Sequence, residues 1–394
     1  MSKARKLNMA ETSDKTCNEH YFFGFAKFFD FEMGRSTSLC FQDMPKTNTG
    51  EENLAYLSPK RLDFVKDMPE LCVIWSTLFE LGRNGKVKVC GWGEGRIISP
   101  KENIILPLDE KIVTLRGSWN RLLMISEKGR CHVMRNVYRD WTVSSGTSGT
   151  VANEEGAKET TWFTHGDVGD THCIVVDEEG RPYQIDQSEF KTTNPFKYLS
   201  LPMPFQVQVD QVSCGKEHVL LLSKKSGTVY SFGLGSRGQL GHGDINSEKT
   251  PKRLEALSGI QIKHISAGGW HSLALSEFGD VYSWGWNECG QLGITCVPPE
   301  VPLTVYVLPY IVQFLDECHV VCIACGARHS VAVTSEPEIN VWTWGWGTYG
   351  QLGHGDTEDR KTPTLVEHFQ NTDSQVESIA CGRWQTIVRT RKKN

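Results

Sequence analysis

The chain lacks any long apolar run. No window in its 394 residues approaches the stretch of about 20 apolar residues that a membrane-spanning helix requires. Residues 1–20 are polar and hold no apolar segment of the secretory-leader kind, so export by that route is not expected and an intracellular setting is. Strong charge of one sign is also missing. Lys and Arg total 42 against 47 Asp and Glu, a net charge of −5, which removes any global electrostatic pull towards DNA. Basic runs sit at the two ends, Ser2-Lys3-Ala4-Arg5-Lys6 and Arg389-Thr390-Arg391-Lys392-Lys393, and such tails are ordinarily just solvated. Specific DNA recognition is therefore not expected. The 13 cysteines are an odd number with no leader before them, which fits reduced thiols packed as small hydrophobes. No Ser-His-Asp or paired-carboxylate constellation stands out. No catalytic residue, cofactor or metal ligand is assigned, and the chain is not expected to be an enzyme.

What the chain does have is a repeat. Residues 267–293 read AGGWHSLALSEFGDVYSWGWNECGQLG: two short apolar runs about a Gly279-Asp280 turn, then a glycine-punctuated exit. Clear copies begin at Gly215, Gly268, Gly326 and Gly382, at intervals of 53, 58 and 56 residues. Three residues after each glycine stand His218, His271, His329 and Gln385. Exits read Gly238-Gln239-Leu240-Gly241, Gly290-Gln291-Leu292-Gly293 and Gly350-Gln351-Leu352-Gly353. Upstream the same frame is eroded but traceable, starting near Trp75, Asn120 and His172.

That makes seven frames, and the last stops after two strands' worth of residues. An unattached Tyr21-Phe22-Phe23-Gly24-Phe25 near the N-terminus resembles the missing half, with Gly24 standing where Gly345 stands. A repeat torn across the two termini is what a ring needs to close without free sheet edges. The expected fold is all-β: a single seven-bladed β-propeller over 21–390, closed by its N-terminal strand. Residues 1–20 read as a disordered N-terminus, 21–29 as the closing strand and 30–70 as a linker. Residues 138–161 read as a flexible Ser/Gly/Thr insertion, and 391–394 as a basic tail.

Several motifs mimic chemistry. Gly233-x-Gly235-x-x-Gly238 fits a dinucleotide-binding pattern, but no helix follows and the frame recurs in each repeat, so these are turn glycines. Cys318-His319 with Cys322-x-x-Cys325 has metal-like spacing, yet Cys325 shares its slot with Cys214 and Cys381 and reads as core. The Gly-His-Gly-Asp pairs, His242/Asp244 and His354/Asp356, recur as turn structure. Gly215, His218, Gly268, His271, Gly326, His329 and Gly382 are structural repeat positions, each histidine expected to bond backbone within its own blade.

The informative positions are those that vary while the frame holds. Just before the histidine slot stand Ile74, Trp119, Thr171, Glu217, Trp270, Arg328 and Trp384. In a propeller these share one radius on one face. Tryptophans with an arginine there have the composition of a binding hot spot, the alternative being that each indole caps its own blade. The exit turns vary too, and Arg237 is the best charge there for an acidic partner. Trp119, Glu217, Arg237, Trp270, Arg328 and Trp384 are the candidate partner-binding residues.

The Gly-x-x-His-Ser, Tyr-Ser-Trp-Gly and Gly-Gln-Leu-Gly-His-Gly-Asp elements, in register from about Trp75 to Thr390, resemble the regulator of chromosome condensation family, especially its small single-propeller members. That resemblance implies a nuclear, chromosome-associated interaction platform. It further implies a Jumonji-type 2-oxoglutarate oxygenase as partner and a link to histone lysine methylation, mitotic spindle organisation and chromosome segregation. Two alternatives come with it: guanine-nucleotide exchange on a small GTPase, and direct binding to histones or the nucleosome.

Overall fold

Each repeat folds as an antiparallel sheet because it supplies short β-rich runs separated by glycine turns. A computed structural model of the chain describes residues 18–25, 55–61, 70–74, 77–93, 96–98, 104–118, 121–135, 143–145, 149–152, 158–186, 196–204, 207–294, 304–314, 318–336, 339–370 and 374–392. Among them are seven sheets of four or five strands, here blades 1 to 7, and one two-stranded hairpin. Blades 1 to 6 span residues 70–105, 112–145, 163–200, 211–253, 262–311 and 319–365. Blade 7 joins residues 374–392 to 18–25 and 55–61.

The first strand of each blade faces a common axis. These strands, Glu70–Ile74, Ile112–Gly117, Phe163–Val168, Gln211–Cys214, Ile262–Ala267, His319–Cys325 and Ser374–Cys381, jointly line one central cavity of about 660 Å³. Consecutive first strands lie side by side, and Ser374–Cys381 also lies against Glu70–Ile74. The fold is a seven-bladed β-propeller.

Second strands pack on both faces, so they read as near-continuous apolar runs rather than alternating ones. Every residue of Thr77–Leu81, Cys173–Asp177, His218–Ser223 and His271–Ser276 is buried. Each large aliphatic side chain hidden there contributes about 1.5–3 kcal/mol. The turn leaving such a strand demands glycine: Gly279 has φ 89°, and the Asp280 N–H donates to Ser276 Oγ at 3.0 Å. Outer strands are more exposed, and Pro251, Pro309 and Pro363 fall at an equivalent irregularity in their pairing, where an edge tolerates a missing donor.

Blade 7 takes strands from both ends of the chain. Asn18–Phe25 pairs with Gln385–Lys392, placing Gly24 opposite Gln385. Gly233, Gly285 and Gly345 stand opposite His218, His271 and His329 in the same register. The strand begins at Asn18, inside the segment read as disordered, and residues 26–29 lie outside the described residues. Ala55–Arg61, inside the segment read as linker, pairs with Asn18–Phe25 as the blade's outer strand. Its Ser58-Pro59-Lys60-Arg61 repeats the Thr250-Pro251-Lys252-Arg253 of blade 4's outer strand. The insertion at 138–161 likewise holds regular structure: Val143–Ser145 belongs to blade 2, and Gly149–Ala152 pairs with Lys158–Thr161.

Candidate partner-binding face

The slot histidines join blades rather than serving their own, which corrects the expected backbone bonding within a blade. Nε2 of His218, His271 and His329 lies 2.9, 3.0 and 3.1 Å from the hydroxyls of Ser272, Ser330 and Thr386 on the next blade. Each hydroxyl donates onward to a carbonyl, of Gln239, Gln291 and Gln351 at 2.9, 2.7 and 2.8 Å. A hydroxyl that donates there must accept from Nε2–H, which fixes the neutral tautomer. Burial holds the three imidazoles neutral, with pKa values lowered to about 3, 3 and 4. The glycine three residues earlier is obligatory because a Cβ on Gly215, Gly268 or Gly326 would collide with the imidazole.

The exit elements are equally structural. Gln239, Gln291 and Gln351 are fully buried and accept the N–H of Arg237, Cys289 and Tyr349 at 2.8, 2.9 and 2.9 Å. His242 and His354 sit 2.9 Å from the hydroxyls of Ser231 and Thr343. Asp244 and Asp356 accept the N–H two residues ahead. The Gly-His-Gly-Asp pairs are thus turn structure. Burial pushes the Cys325 thiol up to about 12 and those of Cys214 and Cys381 well above the usual range, which leaves them protonated. Among the described residues no group of three or more His, Cys, Asp or Glu is arranged around a metal position.

Between these fixed points, the variable residues pack across the blade junctions on one face. Arg237 of blade 4 lies 4.1 Å from the Trp270 ring centre and 5.0 Å from that of Trp286. Arg328 lies 4.7 Å from Trp286 and 5.4 Å from Trp346. Tyr349 sits between Trp346 and Trp384 at 5.1 and 5.5 Å. Lys216 is 4.2 Å from Trp270, and Arg383 is 5.4 Å from Trp384. The result is a ladder of cations and rings from blade 4 to blade 7, alternating from Lys216 to Trp346 and continuing through the Tyr349 and Trp384 rings to Arg383. Anions sit along it: Glu217 accepts Trp270 Nε1–H at 2.8 Å, Glu288 lies 4.0 Å from Arg328 and Asp170 lies 3.9 Å from Arg383.

The RCC1-like domain family matches residues 75–388. The chain belongs to that family. Among curated relatives of this RCC1-like chain, mouse RCC1 domain-containing protein 1 is 37% identical over 217 residues, covering 48% of this chain and 57% of that protein. The ultraviolet-B receptor UVR8 of Arabidopsis thaliana is 41% identical over 210 residues, covering 50% of this chain and 44% of the receptor. The chain therefore spans about half the length of the curated relatives it matches. Among solved structures, Prp20p from Saccharomyces cerevisiae superposes with a TM-score of 0.71 at 19% identity, covering 96% of this chain and 92% of that one.

The RCC1-like propeller brings four of the six sequence candidates, Arg237, Trp270, Arg328 and Trp384, into the ladder, and Glu217 binds its first indole. Trp119 lies outside the described residues. Trp384, 7% exposed, is largely a cap on the blade 6–7 junction, while Trp270, Arg237 and Arg328 keep partial exposure. Ile74 is core at 1% exposure. Sequence reasoning passed over Lys216, Trp286, Trp346 and Arg383. The repeated Trp-Gly-Trp carried the signal: Gly285 and Gly345, at φ 103° and 101°, stand at the ends of Val281–Trp286 and Asn340–Gly345, each just before an indole that meets a guanidinium.

Proposed function

We propose that this RCC1-like propeller is a non-enzymatic platform whose protein partner docks on the loop face of blades 4 to 7. The observation that carries this reading is the cation–ring ladder. It places three partly exposed indoles and two guanidiniums on loops whose backbone is locked by buried neighbours, and such preorganised Trp and Arg anchors are where interface energy concentrates. Likeness to RCC1 domain-containing protein 1 supports a nuclear, chromosome-associated setting. On this reading the partner of the chain is a Jumonji-type 2-oxoglutarate oxygenase, and their complex influences histone lysine methylation, spindle organisation and chromosome segregation.

The test is interferometry with a purified Jumonji-type oxygenase, using wild type and the Trp270→Ala/Arg328→Ala double variant. The expected outcome is binding weakened at least about a hundredfold, since two anchors of about 1.4 kcal/mol or more are removed. Equal affinity of both proteins would retire the face.

A second reading is nucleotide exchange on a small GTPase or direct histone contact. It is favoured by fold likeness to Prp20p, whose structure was described together with its binding properties to Gsp1p and histones. A small GTPase captured by the propeller and released by added nucleotide would move exchange to the front. Salt-sensitive capture of nucleosomes would do the same for histone contact.

A further inference from the structure

The loop face carries a socket on the propeller axis. It is a depression of about 110 Å³ walled by Ser118, Asp170, Lys216, Trp270 and Arg383 over a floor of glycine backbone. It shares Cys214, Cys325 and Cys381 with the lining of the central cavity, so it is that cavity's narrow end. A nucleotide or drug-sized metabolite needs roughly 300–1,000 Å³. This space suits one side chain.

The charges around the socket are not all matched. Asp170 faces Arg383 at 3.9 Å, and the Glu217 carboxylate is engaged by the Trp270 indole N–H at 2.8 Å. Lys216 Nζ and Arg237 Cζ lie 4.2 and 4.1 Å from the same ring centre, hence at most about 8 Å apart. Neither makes an ion pair among the described residues. A guanidinium lying over a ring keeps its N–H edge free, the edge that grips a carboxylate in two places.

We infer that the socket receives a carboxylate side chain from an acidic segment of the partner protein. Lys216 meets it inside the socket, and Arg237, held by Trp270 and Trp286, meets it at the rim. This rests on the reading of the loop face as the partner-binding face. A nucleic acid strand is disfavoured because Asp170, Glu217 and Glu288 would face its continuous phosphate backbone, whereas a single carboxylate brings only one charge past them.

The test titrates the full chain with a fluorescein-labelled random glutamate–tyrosine copolymer, read by anisotropy at low and physiological ionic strength. The Lys216→Gln/Arg237→Gln variant should bind at least about tenfold more weakly, with an unchanged thermal midpoint. The Lys216→Arg variant, which keeps both charges and leaves the Arg237 edge intact, should retain most of the affinity. Inorganic polyphosphate and short duplex DNA should bind more weakly than the copolymer. Wild-type affinity in the Gln variant, or polyphosphate binding as tightly as the copolymer, would overturn the socket. The two readings separate cleanly. Oxygenase binding that ignores Trp270→Ala/Arg328→Ala retires the face, while copolymer binding that ignores Lys216→Gln/Arg237→Gln retires only the socket.

Discussion

Blades 4 to 6 and blades 1 to 3 solve the same packing problem with different chemistry. In the later blades one neutral device recurs: a buried histidine, a hydroxyl on the next blade, and a carbonyl of the exit turn. The device begins at His218 because Ser272, Ser330 and Thr386 directly follow a slot residue, whereas Val219 follows His218 and offers the preceding blade no acceptor. His172, in that preceding blade, instead bonds its own neighbour Thr171 at 2.8 Å and meets the edge of Phe232. The early blades rely on individual contacts. In blade 3 the buried Asp177 accepts from Arg181 Nε at 2.6 Å, Tyr183 OH at 3.1 Å and two backbone N–H groups. Alongside, Phe163 packs on Tyr183 and Tyr198. A signature is visible only where one solution is reused. Its erosion upstream marks a change of device within a continuous architecture.

The largest expected effect comes from the blade that depends on both chain ends. Removing Asn18–Phe25 leaves blade 7 with Ser374–Cys381 and Gln385–Lys392 and an exposed sheet edge. The thermal midpoint should fall by about 10 °C or more, corresponding to several kcal/mol. An unchanged midpoint would reject the N-terminal strand as part of the ring.

The two devices should then fail at different costs. Asp177→Ala leaves the Tyr183 hydroxyl and two backbone N–H groups without their acceptor, beside a half-exposed Arg181, and should destabilise by about 1–3 kcal/mol in urea unfolding. His271→Ala leaves Ser330 without its donor and a void beside Gly268, and should cost about 2–4 kcal/mol. His271→Gln, copying the Gln385 that blade 7 uses in the same slot, should cost less than His271→Ala. Equal losses for Gln and Ala would mean the slot needs only volume.

A slot histidine and the Glu80 carboxyl of blade 1 should respond oppositely to pH. The slot histidines have folded pKa values lowered from 6.5 to about 3–4. The unfolded chain therefore binds protons first, and stability is lost as pH falls from about 6.5. In blade 1, burial raises the Glu80 carboxyl from 4.5 to about 7. There the folded state keeps its proton longer, and stability is lost as pH rises from about 4.5 towards 7. His271→Gln should reduce acid sensitivity, and Glu80→Gln should flatten the slope between pH 4.5 and 7. Unfolding midpoints across pH 3 to 8 check both. The smallest effect is Arg237→Ala, which should cost under about 1 kcal/mol because a half-exposed cation–ring contact is worth little to folding.

Much of this architecture was legible before any coordinates. The spacing of glycine and histidine placed the blades, and the Tyr-Phe-Phe-Gly-Phe segment predicted the pairing that sets Gly24 opposite Gln385. Ala55–Arg61 escaped because it falls within the long connection between the closing strand and the first blade, although the Pro-Lys-Arg it shares with blade 4 marks an outer strand. The histidine partners were misread because a repeat fixes a slot, not the direction in which a side chain reaches. A hydroxyl following His271, His329 and Gln385 was the available clue. Trp286 and Trp346 were missed because period-two alternation assigns them to the strand, while the positive φ of the preceding glycine turns them to the loop face.

Hydrogen exchange of the full chain with and without a Jumonji-type oxygenase tests most directly the proposed docking of a partner on the loop face of blades 4 to 7. Protection should concentrate in residues 215–218, 235–239, 268–271, 286–291, 326–329 and 346–350, leaving the outer strands Glu248–Arg253, Val305–Ile311 and Arg360–Leu365 unchanged. Protection confined to those outer strands, or to the turns at Lys224 and Phe278, with none in the loops, would contradict it.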